Sequence, residues 1–130
     1  MPERPLSPHL SVYKFQYTLA TSILNRFTGV LLSAGLVVLV YWLVALAGGA
    51  RAYAQARSIL SLGVFKLLYV ALLAAFVYHL AAGVRHLIWD TGRGLERASA
   101  QRSAWIIAAV SIVATAILAY WLLRPGAYAR

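Results

Sequence analysis

The sequence predicts an all-α integral membrane protein with three transmembrane helices. Of its 130 residues, 62% are hydrophobic and only 12% are charged, a balance that soluble domains of this size rarely have. Three long apolar runs are separated by short polar segments, and a helix needs roughly 20 apolar residues to cross a bilayer. We therefore expect a single membrane-anchor domain over residues 1–130, surrounded by membrane lipid.

The first predicted helix covers about residues 22–48 and follows a polar N-terminal segment, residues 1–21. Residues 27–50 carry no charge, and Gly48-Gly49 is expected to end the helix. This apolar run begins too late and is too long for a cleavable signal peptide. The preceding segment also lacks the Ser- and Arg-rich amphipathic pattern of a transit peptide, which favours a bacterial protein.

The second and third predicted helices cover about residues 64–90 and 103–123, with a candidate amphipathic segment at residues 51–62 before them. In the central part of the second helix, His79 is the only side chain that can become charged near neutral pH. Residues 103–123 carry no charge. Glycines in the sequence Thr91-Gly92-Arg93-Gly94 are expected to end the second helix, because glycine readily leaves helical geometry.

The basic residues predict an orientation with the N-terminus in the cytoplasm. Seven of them fall on the N-terminal side of the membrane and five on the other, and basic residues concentrate in cytoplasmic segments. The two sets are Arg4, Lys14, Arg26, Arg85, Arg93, Arg97 and Arg102, against Arg51, Arg57, Lys66, Arg124 and Arg130. Because the net charge of +9 is divided between two membrane faces, no nucleic-acid partner is expected.

Two histidines, His79 and His86, lie seven residues apart on the second predicted helix. Seven residues make almost two turns, so both rings project from one face, which also carries Gly83. Ionisable residues at membrane depth usually mark a functional site. This pattern suggests a haem: His79 could be an axial ligand, Gly83 leaves room for the flat ring system, and Arg85 and His86 could bind the propionates. Since the chain has no cysteine, such a haem is held non-covalently; the alternative for His79 is a hydrogen bond to a neighbouring helix.

A second polar group lies at the start of the first predicted helix. Ser22 and Arg26 are four residues apart and share a face, with Asn25 beside them. Because the second helix returns to the same membrane face, this group should lie near Arg85 and His86. A hydroxyl and a guanidinium there could donate hydrogen bonds to a quinone carbonyl or to a propionate. The alternative is that Ser22 caps the helix and Arg26 reaches the lipid headgroups.

Three motifs in order along the chain carry a family resemblance. They are Arg4-Pro5-Leu6-Ser7-Pro8-His9-Leu10-Ser11-Val12-Tyr13, Ser22-Ile23-Leu24-Asn25-Arg26-Phe27-Thr28-Gly29, and His79-x3-Gly83-x-Arg85-His86-x3-Asp90. Together they resemble the cytochrome b556 subunits of succinate dehydrogenase, the larger membrane anchors of respiratory complex II. The resemblance covers the whole chain, including the three-helix layout.

The resemblance implies that His79 is an axial ligand of a haem b shared with the small hydrophobic anchor subunit. It places His86 at a propionate, with Arg85 and Arg26 as further haem contacts. Ser22 and Arg26 would line the ubiquinone site at the interface with the iron–sulfur subunit. The chain departs from the family at Asn25, where histidine is usual. Asparagine can form hydrogen bonds but cannot carry a proton near pH 7, so proton delivery there is not expected.

The resemblance also implies a subunit of an enzyme complex and not an enzyme by itself. Electrons from succinate would pass through a flavoprotein subunit and the iron–sulfur subunit to ubiquinone, linking the tricarboxylic acid cycle to electron transport in a bacterial inner membrane. The two anchor subunits would pack into one haem-binding helical bundle. The alternatives are a fumarate reductase anchor, a haem-free structural tether and a small transporter, of which the last usually has broken helices or inverted repeats.

Overall fold

A computed structural model describes residues 17–124, which form four helices and, within that range, no strand. The helices are α1 (Tyr17–Ala47), α2 (Ala50–Leu60), α3 (Gly63–Asp90) and α4 (Arg97–Leu123). Three of them are long and apolar enough to cross a membrane: Leu19–Ala47, Gly63–Asp90 and Arg97–Leu123. The predicted all-α class with three membrane-spanning helices is confirmed.

Two helices begin earlier than the apolar runs indicated. α1 begins at Tyr17 and not near residue 22, and α4 begins at Arg97 and not near residue 103. Helical hydrogen bonding continues through polar residues at the membrane edge, where hydropathy no longer marks it. The expected amphipathic segment forms α2. Residues 1–16, which include most of the predicted N-terminal segment and its first motif, lie outside the described residues.

Glycines with positive φ separate the helices where the sequence indicated breaks. Gly49 (φ 88°) lies between α1 and α2, and Gly92 (φ 78°) and Gly94 (φ 71°) follow α3. This backbone conformation is costly for residues that carry a Cβ. The chain therefore reverses direction at these glycines, and α3 runs for 28 residues without interruption.

The helices pack through small side chains. α3 lies between its neighbours and contacts both α1 and α4 extensively. Small residues let helix backbones approach closely, which is how membrane helices associate when lipid offers no hydrophobic driving force. The buried residues are Ala45, Ala56, Ala75, Ala82, Ala100, Ala104, Thr21, Thr28, Ser111, Tyr78 and Arg85.

Large apolar side chains lie mostly on the outside of this bundle. Examples are Phe27 on α1, Leu67 on α3 and Ile112 on α4, with exposed fractions of 64%, 73% and 70%. Burying apolar surface is worth about 25 cal/mol per Å² in water, so this surface requires lipid or protein around it. Exposed apolar side chains on all three long helices agree with a multi-pass membrane protein.

α1 and α3 run antiparallel, and three contacts set their register. The Tyr78 hydroxyl donates to the Thr21 carbonyl at 3.2 Å, and the His79 ring faces the α1 backbone near Gly29. Farther along, a Cβ on Gly35 would lie 2.7 Å from a methyl group of Leu72. The first turns of α1 therefore lie beside the last turns of α3. We call this region the polar end; it carries Ser22, Asn25, Arg26, Arg85 and His86.

The close approach at Gly35 should make this position intolerant of a branched side chain. Gly35→Val would force the Leu72 side chain out of its position against α1, and such overpacking typically costs about 1–3 kcal/mol. We expect a lower thermal unfolding midpoint for the protein purified from membranes in detergent. Gly63→Val is the matched control, because a Cβ there meets nothing within 4 Å. Equal midpoints for both variants would contradict the packing described.

Candidate functional site

The half-buried ring of His79 faces α1. Its Nδ1 atom lies 3.2 Å from the backbone oxygen of Asn25 and 3.2 Å from Oγ1 of Thr28. The Thr28 hydroxyl itself donates to the Asn25 carbonyl at 2.9 Å. A carbonyl can only accept, and the hydroxyl has already given its hydrogen to it. The ring hydrogen therefore sits on Nδ1, and Nε2 keeps its lone pair.

This arrangement joins two interpretations that the sequence left as alternatives. His79 does form hydrogen bonds to a neighbouring helix, but it forms them through Nδ1. Within residues 17–124, Nε2 has no hydrogen-bond partner. Histidines that bind metals usually donate the hydrogen of one ring nitrogen to a carbonyl or another acceptor and ligate through the other nitrogen. The bonded imidazole of His79 is thus in the state that suits an axial ligand.

The glycine that makes room for the His79 ring is Gly29 and not Gly83. A Cβ on Gly29 would lie 3.2 Å from Cε1 of His79, closer than the 3.4–4 Å of ordinary contact. A Cβ on Gly83 would meet nothing within 4 Å. Gly83 leaves its part of the α3 surface open to a flat group, as predicted, but it does not accommodate the histidine. Helix periodicity could not identify Gly29, since it carries no information on which faces of two helices meet.

At the polar end of α3, Trp89 contacts two of the predicted site residues. The guanidinium carbon of Arg85 lies 4.5 Å from the centre of the Trp89 ring, and Arg85 is only 5% exposed. The His86 ring meets Trp89 edge-on at 5.3 Å between centroids. Nδ1 of His86 donates to the carbonyl of Ala82 at 2.7 Å, which leaves Nε2 for another partner. Sequence reasoning gave Trp89 no place in the site, although its spacing of three and four from His86 and Arg85 indicates this role.

Ser22 and Arg26 lie on α1 at the polar end, one half-buried and the other exposed. Because α1 begins at Tyr17, Ser22 lies past the first turn and is not the N-cap of this helix. The structure shows no hydrogen bond from either side chain to another residue in the range 17–124. Both groups are therefore available to a ligand or a partner subunit.

Asn25 contributes its main chain to the site. Its carbonyl accepts from His79 and Thr28, while its side-chain Oδ1 is buried without a hydrogen-bond partner among the described residues. An unpaired buried oxygen usually costs about 1–3 kcal/mol, so Oδ1 favours a donor from outside residues 17–124.

The donor set fits one axial ligand of a haem and not a metal site made by this chain alone. Within residues 17–124, no three His, Cys, Asp or Glu side chains come together. A single imidazole with an engaged Nδ1, followed along α3 by an open glycine, Arg85 and His86, matches the requirements for one iron ligand and two propionate partners.

Comparisons with known proteins show which family the chain is similar to. A sequence model of the family described as succinate dehydrogenase/fumarate reductase transmembrane subunit matches residues 1–118. The chain is 41% identical over 110 residues to the succinate dehydrogenase cytochrome b556 subunit of Paracoccus denitrificans, covering 85% of each protein. It is 38% identical over 116 residues to the subunit of the same name from Rickettsia felis, covering 89% of this chain and 90% of that protein. It is 33% identical over 118 residues to the mitochondrial cytochrome b560 subunit of Homo sapiens, covering 89% and 70%.

Trp89 should stabilise the polar end through Arg85. A partly buried cation–π contact is worth about 0.5–2 kcal/mol, and leucine cannot provide it. We expect Trp89→Leu to lower the thermal unfolding midpoint of the purified protein, and Trp89→Phe, which keeps an aromatic face, to recover much of the loss. If leucine and phenylalanine behave alike, packing volume and not the guanidinium contact explains the role of Trp89.

Proposed function

The chain belongs to the family of succinate dehydrogenase and fumarate reductase transmembrane subunits, and we propose that it binds haem b and forms part of the ubiquinone site of a succinate:quinone oxidoreductase. Proteins similar to it are cytochrome b subunits of succinate dehydrogenase. The observation that carries the proposal is the hydrogen-bonded state of His79, whose Nδ1 is engaged and whose Nε2 is available.

In this proposal, His79 would hold haem b through Nε2, together with a residue of the small anchor subunit. Arg85 and His86 bind propionates, because a guanidinium and an imidazole can donate to carboxylates; Arg26 adds positive charge at the same end. Trp89 keeps Arg85 in place. Haem b, when bound, supplies reversible one-electron oxidation and reduction. This chain contributes ligation, orientation and charge.

The quinone site in this proposal lies at the polar end of α1. The Ser22 hydroxyl donates a hydrogen bond to a quinone carbonyl. Arg26 provides positive potential for the negative charge that develops on the quinone oxygens during reduction. Both side chains are accessible enough for this, since Ser22 is half-buried and Arg26 exposed.

The proposed assembly rests on the likeness to succinate dehydrogenase subunits. In it, a flavoprotein subunit would oxidise succinate and an iron–sulfur subunit would carry the electrons to the polar end, since this chain has no cysteine to hold a cluster. The polar end would face these subunits on the cytoplasmic side of a bacterial inner membrane. A fumarate reductase anchor is the second candidate, because the matching family includes both enzymes.

Replacing His79 should remove the haem, whereas replacing His86 should not. We expect His79→Ala to abolish or strongly perturb the low-spin b-type spectrum of the purified complex, because the iron loses a ligand. His86→Ala should keep the spectrum and shift the midpoint potential, because a propionate partner tunes the haem without ligating it. A wild-type spectrum and potential in His79→Ala would contradict the ligand assignment. Loss of haem only in His86→Ala would exchange the two roles.

Ser22→Ala and Arg26→Leu should slow quinone reduction in the assembled complex. A charge-assisted hydrogen bond is worth about 1.5–3 kcal/mol, or roughly one to two powers of ten in an equilibrium. Succinate oxidation by a dye that accepts electrons before the quinone should remain normal, which separates a quinone defect from misassembly. Ser33→Ala is the matched control on the same helix, since the Ser33 hydroxyl bonds only to the Gly29 carbonyl. Wild-type quinone kinetics in both variants would assign Ser22 and Arg26 no part in this site.

A further inference from the structure

We propose that Thr28 is a positioning residue for His79: with the Asn25 carbonyl, its hydroxyl selects the ring tautomer and fixes the ring plane. This inference rests on the proposed function, in which His79 is an iron ligand. It adds a residue that does not touch the iron but determines which ring nitrogen is offered to it, and at what angle.

The geometry is a closed triangle of hydrogen-bonding atoms. Thr28 Oγ1 lies 2.9 Å from the Asn25 oxygen, and both oxygens lie 3.2 Å from Nδ1 of His79. Because the hydroxyl hydrogen points at the carbonyl, a lone pair of Oγ1 is left for the ring. The Nδ1 hydrogen is shared between two acceptors. With the hydrogen on Nε2 instead, the Thr28 hydroxyl could donate to Nδ1 only by giving up its bond to the Asn25 carbonyl, and that carbonyl would face a ring lone pair.

The surroundings make this triangle rigid. Thr28 is only 6% exposed, and its branched side chain has few rotamers in a helix. The bond from its hydroxyl to its own helix holds Oγ1 in one direction. On the other side of Nδ1, Cε1 lies against the bare backbone of Gly29, where a Cβ would be 3.2 Å away. The ring is thus held by hydrogen bonds at Nδ1 and by van der Waals contact at Cε1.

Hydrogen bonds at Nδ1 should also affect the iron electronically. An acceptor at Nδ1 raises the basicity of the imidazole, and a more basic ligand favours the oxidised metal. Thr28 should therefore lower the midpoint potential of the haem. A threonine that bonds only to its own helix, which is common in helix interiors, would affect neither the potential nor the ring angle.

The test compares Thr28→Val, which keeps the shape and removes the hydroxyl, with Thr28→Ser, which keeps the hydroxyl. Both are measured in the whole purified complex by redox titration of the haem and by electron paramagnetic resonance of its ferric form. The resonance g values depend on the orientation of the axial imidazoles. We expect Thr28→Val to retain haem, raise the midpoint potential and change the g values, and Thr28→Ser to restore both toward wild type. Thr115→Val, at a half-buried threonine on α4, is the matched control and should change neither.

A second variant tests the steric part and guards against a folding failure. Gly29→Ala keeps the hydroxyl but places a methyl group against Cε1, so it should change the g values by turning the ring. If Thr28→Val does not assemble, the smaller Thr28→Ala replaces it with the same expected result. A wild-type potential and wild-type g values in the hydroxyl-free variant would overturn the proposal, as would an unchanged resonance in Gly29→Ala.

The outcome for His79→Ala separates this inference from the proposed function. If that variant loses its haem while Thr28→Val behaves as wild type, His79 is the ligand and Thr28 does not position it. If His79→Ala keeps a wild-type haem, the ligand assignment fails, and the positioning role fails with it.

Discussion

The contact between the His79 ring and the bare backbone at Gly29 is the interaction on which the site depends. It brings Cε1 of His79 so near to α1 that a Cβ on residue 29 would lie 3.2 Å from it. It also sets the antiparallel register in which the start of α1 lies beside the end of α3. Ser22 and Arg26 therefore share one end of the bundle with Arg85 and His86. A larger residue at 29 would alter the ring and the helix spacing together.

The remainder of the structure follows from the demands of a lipid solvent. Every long helix satisfies its backbone internally, because hydrocarbon offers no partners for N–H and C=O groups. Apart from Tyr78 and Arg85, the buried residues are alanine, threonine and serine, while many leucine, valine and isoleucine side chains face outward. The outward surface of α1 and α3 is therefore equally suited to lipid and to the helices of an anchor partner.

The sequence predicted the long helices well, because apolar length is a one-dimensional signal. It could not predict that Gly29, and not Gly83, receives the ring, nor that Trp89 lies between Arg85 and His86. Helices that are apolar on every side have no polar face to reveal their rotation. The sequence also did not predict that α4 begins as early as Arg97, because polar residues at the membrane edge can be helical without a hydropathy signal.

The acceptor that His79 meets at position 25 belongs to the main chain. Every amino acid supplies that carbonyl, so the histidine contact survives any substitution at 25 that preserves the helix. This chain has asparagine there, where the subunits it resembles usually have histidine, and the ring is held all the same. Position 25 can accordingly drift between side chains that do or do not carry protons while the bond to the His79 ring stays in place. The backbone carbonyl of residue 25, which binds His79, and its side chain, whether or not that side chain carries a proton, can thus be selected separately.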